Sequence, residues 1–148
     1  MKQIFSLIAL LLLSTMATAT NHFAGDWLVQ QAQDSSEHLT ASADQRFTLK
    51  IRATDDEKVL GVSVHIANNF KGELRVLGSV GKVGTNNIKV SGLASTKMLA
   101  PPDRDPWEQY LLRSFPTMHE LILEENGMLT LRGTHAVVKC APDVSGSS

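Results

Sequence analysis

Apolar and polar residues alternate with a period of two through most of this chain, and that rhythm constrains the fold more than any other feature. Successive side chains of a strand point to opposite faces, so alternation marks a strand with one buried and one wet face. Residues 46–52, RFTLKIR, place Phe47, Leu49 and Ile51 on one face and Arg46, Thr48, Lys50 and Arg52 on the other. Residues 59–66 put Leu60, Val62, Val64 and Ile66 together. Residues 73–77 set Leu74 and Val76 opposite Glu73 and Arg75, and residues 87–90 turn Ile88 and Val90 inward. Trp27 and Val29 indicate an earlier strand after Gly25. Near the C-terminus, Leu121 and Leu123 face Leu129 and Leu131 across Asn126-Gly127. Both turn residues tolerate the positive φ of a type I′ hairpin, which is the turn expected here. A last strand over 134–139 carries Ala136 and Val138 inward, whereas the polar stretch 33–44 reads as a loop or strand edge.

One segment changes period. Residues 103–116 read DRDPWEQYLLRSFP, with Trp107, Tyr110, Leu111 and Phe115 at helical spacing. Asp105 suits the N-cap, Pro106 the first helical position and Glu108 the closing place of a capping box. Pro116 ends the run. A short amphipathic helix is expected.

About seven short strands and one helix in a chain of 148 residues fit a single domain. The expected class is mainly β (α+β), a small antiparallel β-barrel whose helix covers an opening or a side. Lys and Arg total 14 and Asp and Glu 15, so there is no electrostatic footprint for nucleic acid. Aromatics are 5% of the chain, too few for stacking bases on an exposed strand face.

The first nineteen residues read as an address. Lys2 precedes an apolar run over 4–13, far shorter than a membrane-spanning helix, and Ala17-Thr18-Ala19 fits a signal-peptidase site. Residues 1–19 are therefore expected to be a cleaved signal peptide, with Thr20 first in a secreted or periplasmic product. The folded domain is expected over 20–140, followed by a disordered tail over 141–148.

Chemistry-bearing patterns are sparse. His119-Glu120 opens HELIL, where a zinc-protease helix would need His rather than Leu123. His22, His38, His65, His119 and His135 show no ligand spacing. An enzyme would need His65, His119 or His135 to meet a carboxylate in a cleft. Gly78, Gly81 and Gly84 read as a flexible turn without the following signature of a phosphate loop. Cys140 is the single cysteine and reads as a partly buried thiol or as the source of an intermolecular disulfide. No catalytic, cofactor-binding or metal-binding residues are assigned, and no cofactor is expected.

Three segments resemble the META domain, the family that includes the bacterial heat-shock protein HslJ. In VSVHIANNFKGEL, Asn68-Asn69-Phe70-Lys71-Gly72 stands where the family has a Gly-Cys-Asn turn leading to Gly. In IKVSGLASTKMLAPP, Ser95-Thr96-Lys97-Met98 matches a Ser-Thr-(Lys/Arg)-Met element. Glu108 and its helix come next, then a hairpin whose second strand fits a closing Leu-x-Leu. Gly25-Asp26-Trp27 resembles the opening Gly-x-Trp. Many bacterial members carry cysteines in the first turn and just after the Met. Ala67 or a neighbouring Asn, and Leu99, stand there instead, a form closer to the trypanosomatid META proteins.

The resemblance implies a barrel-like exported protein tied to stress tolerance, envelope integrity, or secretion and virulence, with no enzymatic activity. The candidate interaction residues are Asn69, Gly72, Ser95, Thr96, Lys97, Met98 and Glu108. Asn69 and Gly72 suit a tight turn, and Ser95 and Thr96 can bond local backbone. Met98 and Leu99 are expected to cover one barrel end, with a binding lip as the other reading. A protein partner in the envelope or secretory pathway is expected, with no nucleic acid and no stable membrane span. The alternative is a carrier barrel for a small apolar ligand.

Overall fold

The computed structural model describes residues 23–78 and 84–144. Nine strands run β1 (Gly25–Gln33), β2 (His38–Thr40), β3 (Thr48–Ala53), β4 (Val59–His65), β5 (Asn69–Leu77), β6 (Gly84–Ser95), β7 (Met118–Leu123), β8 (Leu129–Gly133) and β9 (Val137–Pro142). The helix α1 (Asp105–Ser114) and a 3-10 turn (Phe115–Thr117) lie between β6 and β7. All pairings are antiparallel, and β1 closes on β9, so eight strands form a barrel while β2 pairs beside the second half of β1. The signal-peptide segment and residues 145–148 of the expected tail lie outside the described residues.

The two-residue rhythm becomes the barrel wall. Phe47, Leu49 and Ile51 are 1% exposed or less, and Leu60, Val62, Val64 and Ile66 are buried beside them. Leu121, Leu129 and Leu131 close the opposite wall and are fully buried. Trp107 sinks from α1 against Phe47, ring centroids 5.1 Å apart and tilted by 59°. Burying an aromatic of this size contributes about 3 kcal/mol. Tyr110 is fully buried, and its hydroxyl donates to the Gln33 carbonyl at 2.7 Å, tying the helix to the end of β1. The apolar gap between α1 and β4–β6, lined by Val62, Val64, Phe70, Leu93, Leu111 and Phe115, does not admit a water molecule.

Several local expectations are corrected. The Asn126-Gly127 hairpin is in place, with Leu121 opposite Leu131 and Leu123 opposite Leu129. Its turn is not type I′, because Gly127 alone takes a positive φ, +87°. The Gly127 amide donates to Glu124 O and the Glu124 amide to Met128 O, which is a type I turn followed by a left-handed glycine. The Asn126 side chain accepts from the Met128 amide at 3.0 Å. This third bond favours the longer loop.

At the other end, β9 runs through Ala141 and Pro142, which pair with Leu28 and Trp27. Asp143 extends the order by ion-pairing with Arg46 at 3.0 Å. The first residues of the segment expected as a tail are thus held against β1. Cys140 is fully buried. Burial pushes its thiol pKa up to about 12, so it presents no thiolate for an intermolecular disulfide.

Candidate functional site

The expected capping box does not form. The helix N-cap is Arg104, with no side-chain cap, and the Glu108 side chain turns away from the helix start. It reaches the turn between β4 and β5 instead. One Glu108 oxygen accepts the backbone amides of Ala67 at 2.9 Å and Asn68 at 2.5 Å. The other accepts the Asn68 side-chain amide at 2.8 Å. Arg104 grips the same turn, donating to the Ile66 carbonyl at 3.0 Å.

Glu108 is 5% exposed. Burial pushes its carboxyl pKa up, but the bonds from the Asn68 amide, the Asn68 side chain and the Ala67 amide outweigh that and hold it below the usual carboxylate value. It is an ionised structural anchor, with both oxygens occupied by donors on another element.

Asn68, 4% exposed, carries the tether onward to the segment after β6. Its oxygen accepts from the Met98 amide at 2.7 Å and the Thr96 hydroxyl at 2.9 Å. Its nitrogen donates to the Met98 carbonyl at 2.9 Å as well as to Glu108. All four hydrogen-bonding positions of the side chain are used. Thr96 completes the knot: its hydroxyl accepts from the Asn69 amide at 3.0 Å, and its own amide donates to Asn69 O at 3.1 Å.

The consequence falls on Met98. Its N–H and its C=O are both fixed by one buried side chain, while its own side chain is 64% exposed. Leu99 next to it is 98% exposed. The expectation that these two residues cover a barrel end is corrected, because the clamp acts on the backbone and leaves both side chains outside. Lys97, Pro101 and Pro102 are exposed around them.

The remaining candidates sit nearby in different roles. Asn69 opens β5 and is exposed, its side-chain oxygen 2.8 Å from His65 Nδ1. It takes no left-handed conformation, since among the described residues only glycines have positive φ. Gly72 is not a turn residue either. It lies within β5 where the β5–β6 register shifts, and a Cβ there would stand 3.1 Å from Ser91 O and 3.3 Å from Leu93 Cα. Gly92 opposite has φ +66°, so the pair forms a bulge that lets β6 bend and run on past residue 90. Ser95 ends β6 opposite Phe70. Asn69, Lys71, Ala94, Ser95 and Thr96 line a shallow groove of about 270 Å³.

His22 lies outside the described residues, and among the described residues the histidines do not gather with acidic side chains into one cluster. His119 is exposed on β7, and His135 lines a separate polar cleft of about 260 Å³ with Asp34 and Arg113. Arg113 donates to Asp34 at 2.7 and 3.2 Å and, with the Ser36 amide, holds that carboxyl far below the usual range. Among the described residues no group of three or more His, Cys, Asp or Glu is arranged to hold a metal, and no helix is long and apolar enough to cross a membrane.

A family model described as META domain matches residues 18–143. This chain belongs to the META-domain family. No curated protein matches it significantly. Among solved structures, the META domain seen here is similar to one described as "NMR structure of the protein from Burkholderia xenovorans", with a TM-score of 0.56 and 14% identity over 86% of this chain and 88% of that one. At that identity the likeness is one of fold. Within the META domain, the matched segments around Asn68, Thr96–Met98 and Glu108 are parts of a single hydrogen-bonded knot. Sequence reasoning missed Asn68 as its centre. The signal available was two adjacent asparagines after an alternating strand, which does not tell the buried one from the exposed one.

Proposed function

We propose that this META domain is a noncatalytic, HslJ-like exported module that docks a protein partner through the loop at residues 97–102. In this reading it serves stress tolerance, envelope integrity, or secretion and virulence, after signal-peptide cleavage near Ala19. The observation that carries the proposal is the clamp on Met98. The buried Asn68 side chain fixes both backbone groups of a residue whose side chain, with that of Leu99, points to solvent. A loop held in one conformation loses little entropy on binding, and exposed Met and Leu supply apolar contact area.

The same geometry favours a noncatalytic role. The buried carboxylate is saturated by donors and the His65 ring is engaged by Asn69. The barrel interior is filled by side chains, which weighs against the alternative of an apolar-ligand carrier.

The test is capture from the exported fraction of the source cells with wild-type protein and with Leu99→Asp. The proposal expects a partner recovered by the wild type and lost in the variant, with unchanged melting. Equal recovery by both proteins overturns it. N-terminal sequencing of the exported form is expected to begin at Thr20, and retention of residues 1–19 would overturn the export reading.

A further inference from the structure

β6 has two different neighbourhoods. Over residues 84–87 it is paired with β7, and Asn87 is paired with β5 as well. From residue 88 to Ser95 it has β5 alone as a strand partner, because its β7 pairing ends at Asn87. The Thr96 amide donates to Asn69 O, so Ala94 bonds inward to β5 and the backbone groups of Leu93 and Ser95 point to the other side. Ser91, Gly92 and Ala94 are exposed along this stretch. The result is a stretch of β6 edge without a strand partner, with the 3-10 turn beside part of it and Leu93 turned toward Leu111 and Phe115, leading directly into the clamped Met98 loop.

An unpaired edge is a template for another extended chain. Its charges select what can pair. Lys89 lies near its start, Lys97 beyond its end and Lys71 opposite Ala94 on β5; these three outnumber Glu73, the exposed acid opposite Ser91, and among the described residues none of the three lysines forms an ion pair. An antiparallel pairing of two such edges about Leu93 would set Lys89 of each copy against Lys97 of the other. Like charges facing across strands are destabilising, so this edge is protected against self-pairing. The same lysines attract carboxylates.

We propose that the outer edge of β6, over residues 88–95, takes an extended acidic segment of a partner protein as an added strand. This rests on the reading of the protein as a docking module and names the chemistry of what docks. Main-chain hydrogen bonds supply the affinity, and Lys71, Lys89 and Lys97 select an acidic segment over a basic one.

The probe is a short peptide of alternating Val and Thr with Asp at each end, titrated into the isotope-labelled full chain. Amide shifts and exchange protection are expected at Leu93 and Ser95. Replacing the Asp residues by Lys should weaken binding about tenfold or more. N-methylating alternate peptide amides gives two patterns. The one on the edge facing β6 should abolish binding, and the one on the other edge should be tolerated. Ser95→Pro removes an outward donor while sparing the β5 ladder, and should weaken binding to a similar degree. If that variant does not fold, the methylated peptides decide, because they leave the protein unchanged.

Absence of binding, equal effects of both methylation patterns, or shifts confined to other surfaces would overturn the proposal. So would self-association of the protein that Ser95→Pro abolishes, since the edge would then take a second copy. Failure here with Leu99-dependent partner capture intact leaves the docking reading standing. Peptide addition at β6 with capture indifferent to Leu99 overturns the loop reading alone.

Discussion

The side-chain amide of Asn68 donates to the carboxylate of Glu108 at 2.8 Å, joining the β4–β5 turn to the first turn of a helix forty residues later in the chain. Asn68 also fixes Met98, so one buried pair couples strand turn, helix and exposed loop. Removal of Glu108 leaves the amides of Ala67 and Asn68 without their acceptor. Glu108→Ala is expected to cost about 3 kcal/mol, since buried donors lose a charged partner. Urea denaturation measures it. A cost within about 0.5 kcal/mol, ordinary for a surface site, would contradict the tether.

The tether titrates. The Glu108 carboxyl is held below its ordinary value in the folded state, with burial opposing and the donated hydrogen bonds prevailing. A depressed folded value means the contribution is complete above the unfolded carboxylate pKa and fades as pH falls through the lower folded one. Wild-type protein should therefore lose stability on acidification more steeply than Glu108→Ala, and the gap between them should narrow. A constant gap from neutral to acid pH would show that the ionised form contributes nothing.

Cys140 makes a simpler case. Burial holds the thiol protonated, with its pKa pushed up to about 12. Thiol-specific labelling at neutral pH is expected to leave Cys140 unmodified in the folded protein and to proceed in denaturant. Rapid labelling without denaturant would contradict the packing of β9 against β1.

Two glycines with ordinary φ differ in how little room they have. A Cβ on Gly133 would stand 2.7 Å from Thr117 Oγ1 and 3.0 Å from Thr117 O, whereas on Gly72 it meets Ser91 O at 3.1 Å. Gly133→Ala should destabilise more than Gly72→Ala, by about 1 kcal/mol or more, because the β8 backbone must move away from the 3-10 turn. Thermal melts of the two variants decide the order.

The barrel was legible because its signal is local. Phe47, Leu49 and Ile51 repeat every second residue, and burial follows that repeat without help from the rest of the fold. The helix was legible from the spacing of Trp107, Tyr110 and Leu111, all buried as that spacing requires. The knot was not. Glu108 sits three residues after Asp105, so a local capping box accounts for it fully on sequence grounds, and only the tertiary fold offers it better donors at residues 67 and 68. Asn68 has its side-chain partners at Thr96, Met98 and Glu108, too far along the chain for any spacing rule. Met98 and Leu99 look like core residues by type, and a backbone clamp that holds them outward leaves no trace in the pattern. The strand expected over residues 87–90 is the middle of a longer β6, which runs on to Ser95 because Gly92 forms a bulge with Gly72 opposite.

Display of Met98 and Leu99 by the Asn68 clamp is tested most directly by amide hydrogen exchange at Met98 in wild-type protein and in Asn68→Ala. The Met98 amide donates to the Asn68 side chain at 2.7 Å and to no strand partner. Wild-type protein should show slow exchange at Met98 despite its exposed side chain, and Asn68→Ala should exchange at least about tenfold faster there while amides in the β7–β8 hairpin change less. Equally fast exchange at Met98 in both proteins would mean that the loop is not held, and the account of a preformed docking element would fail.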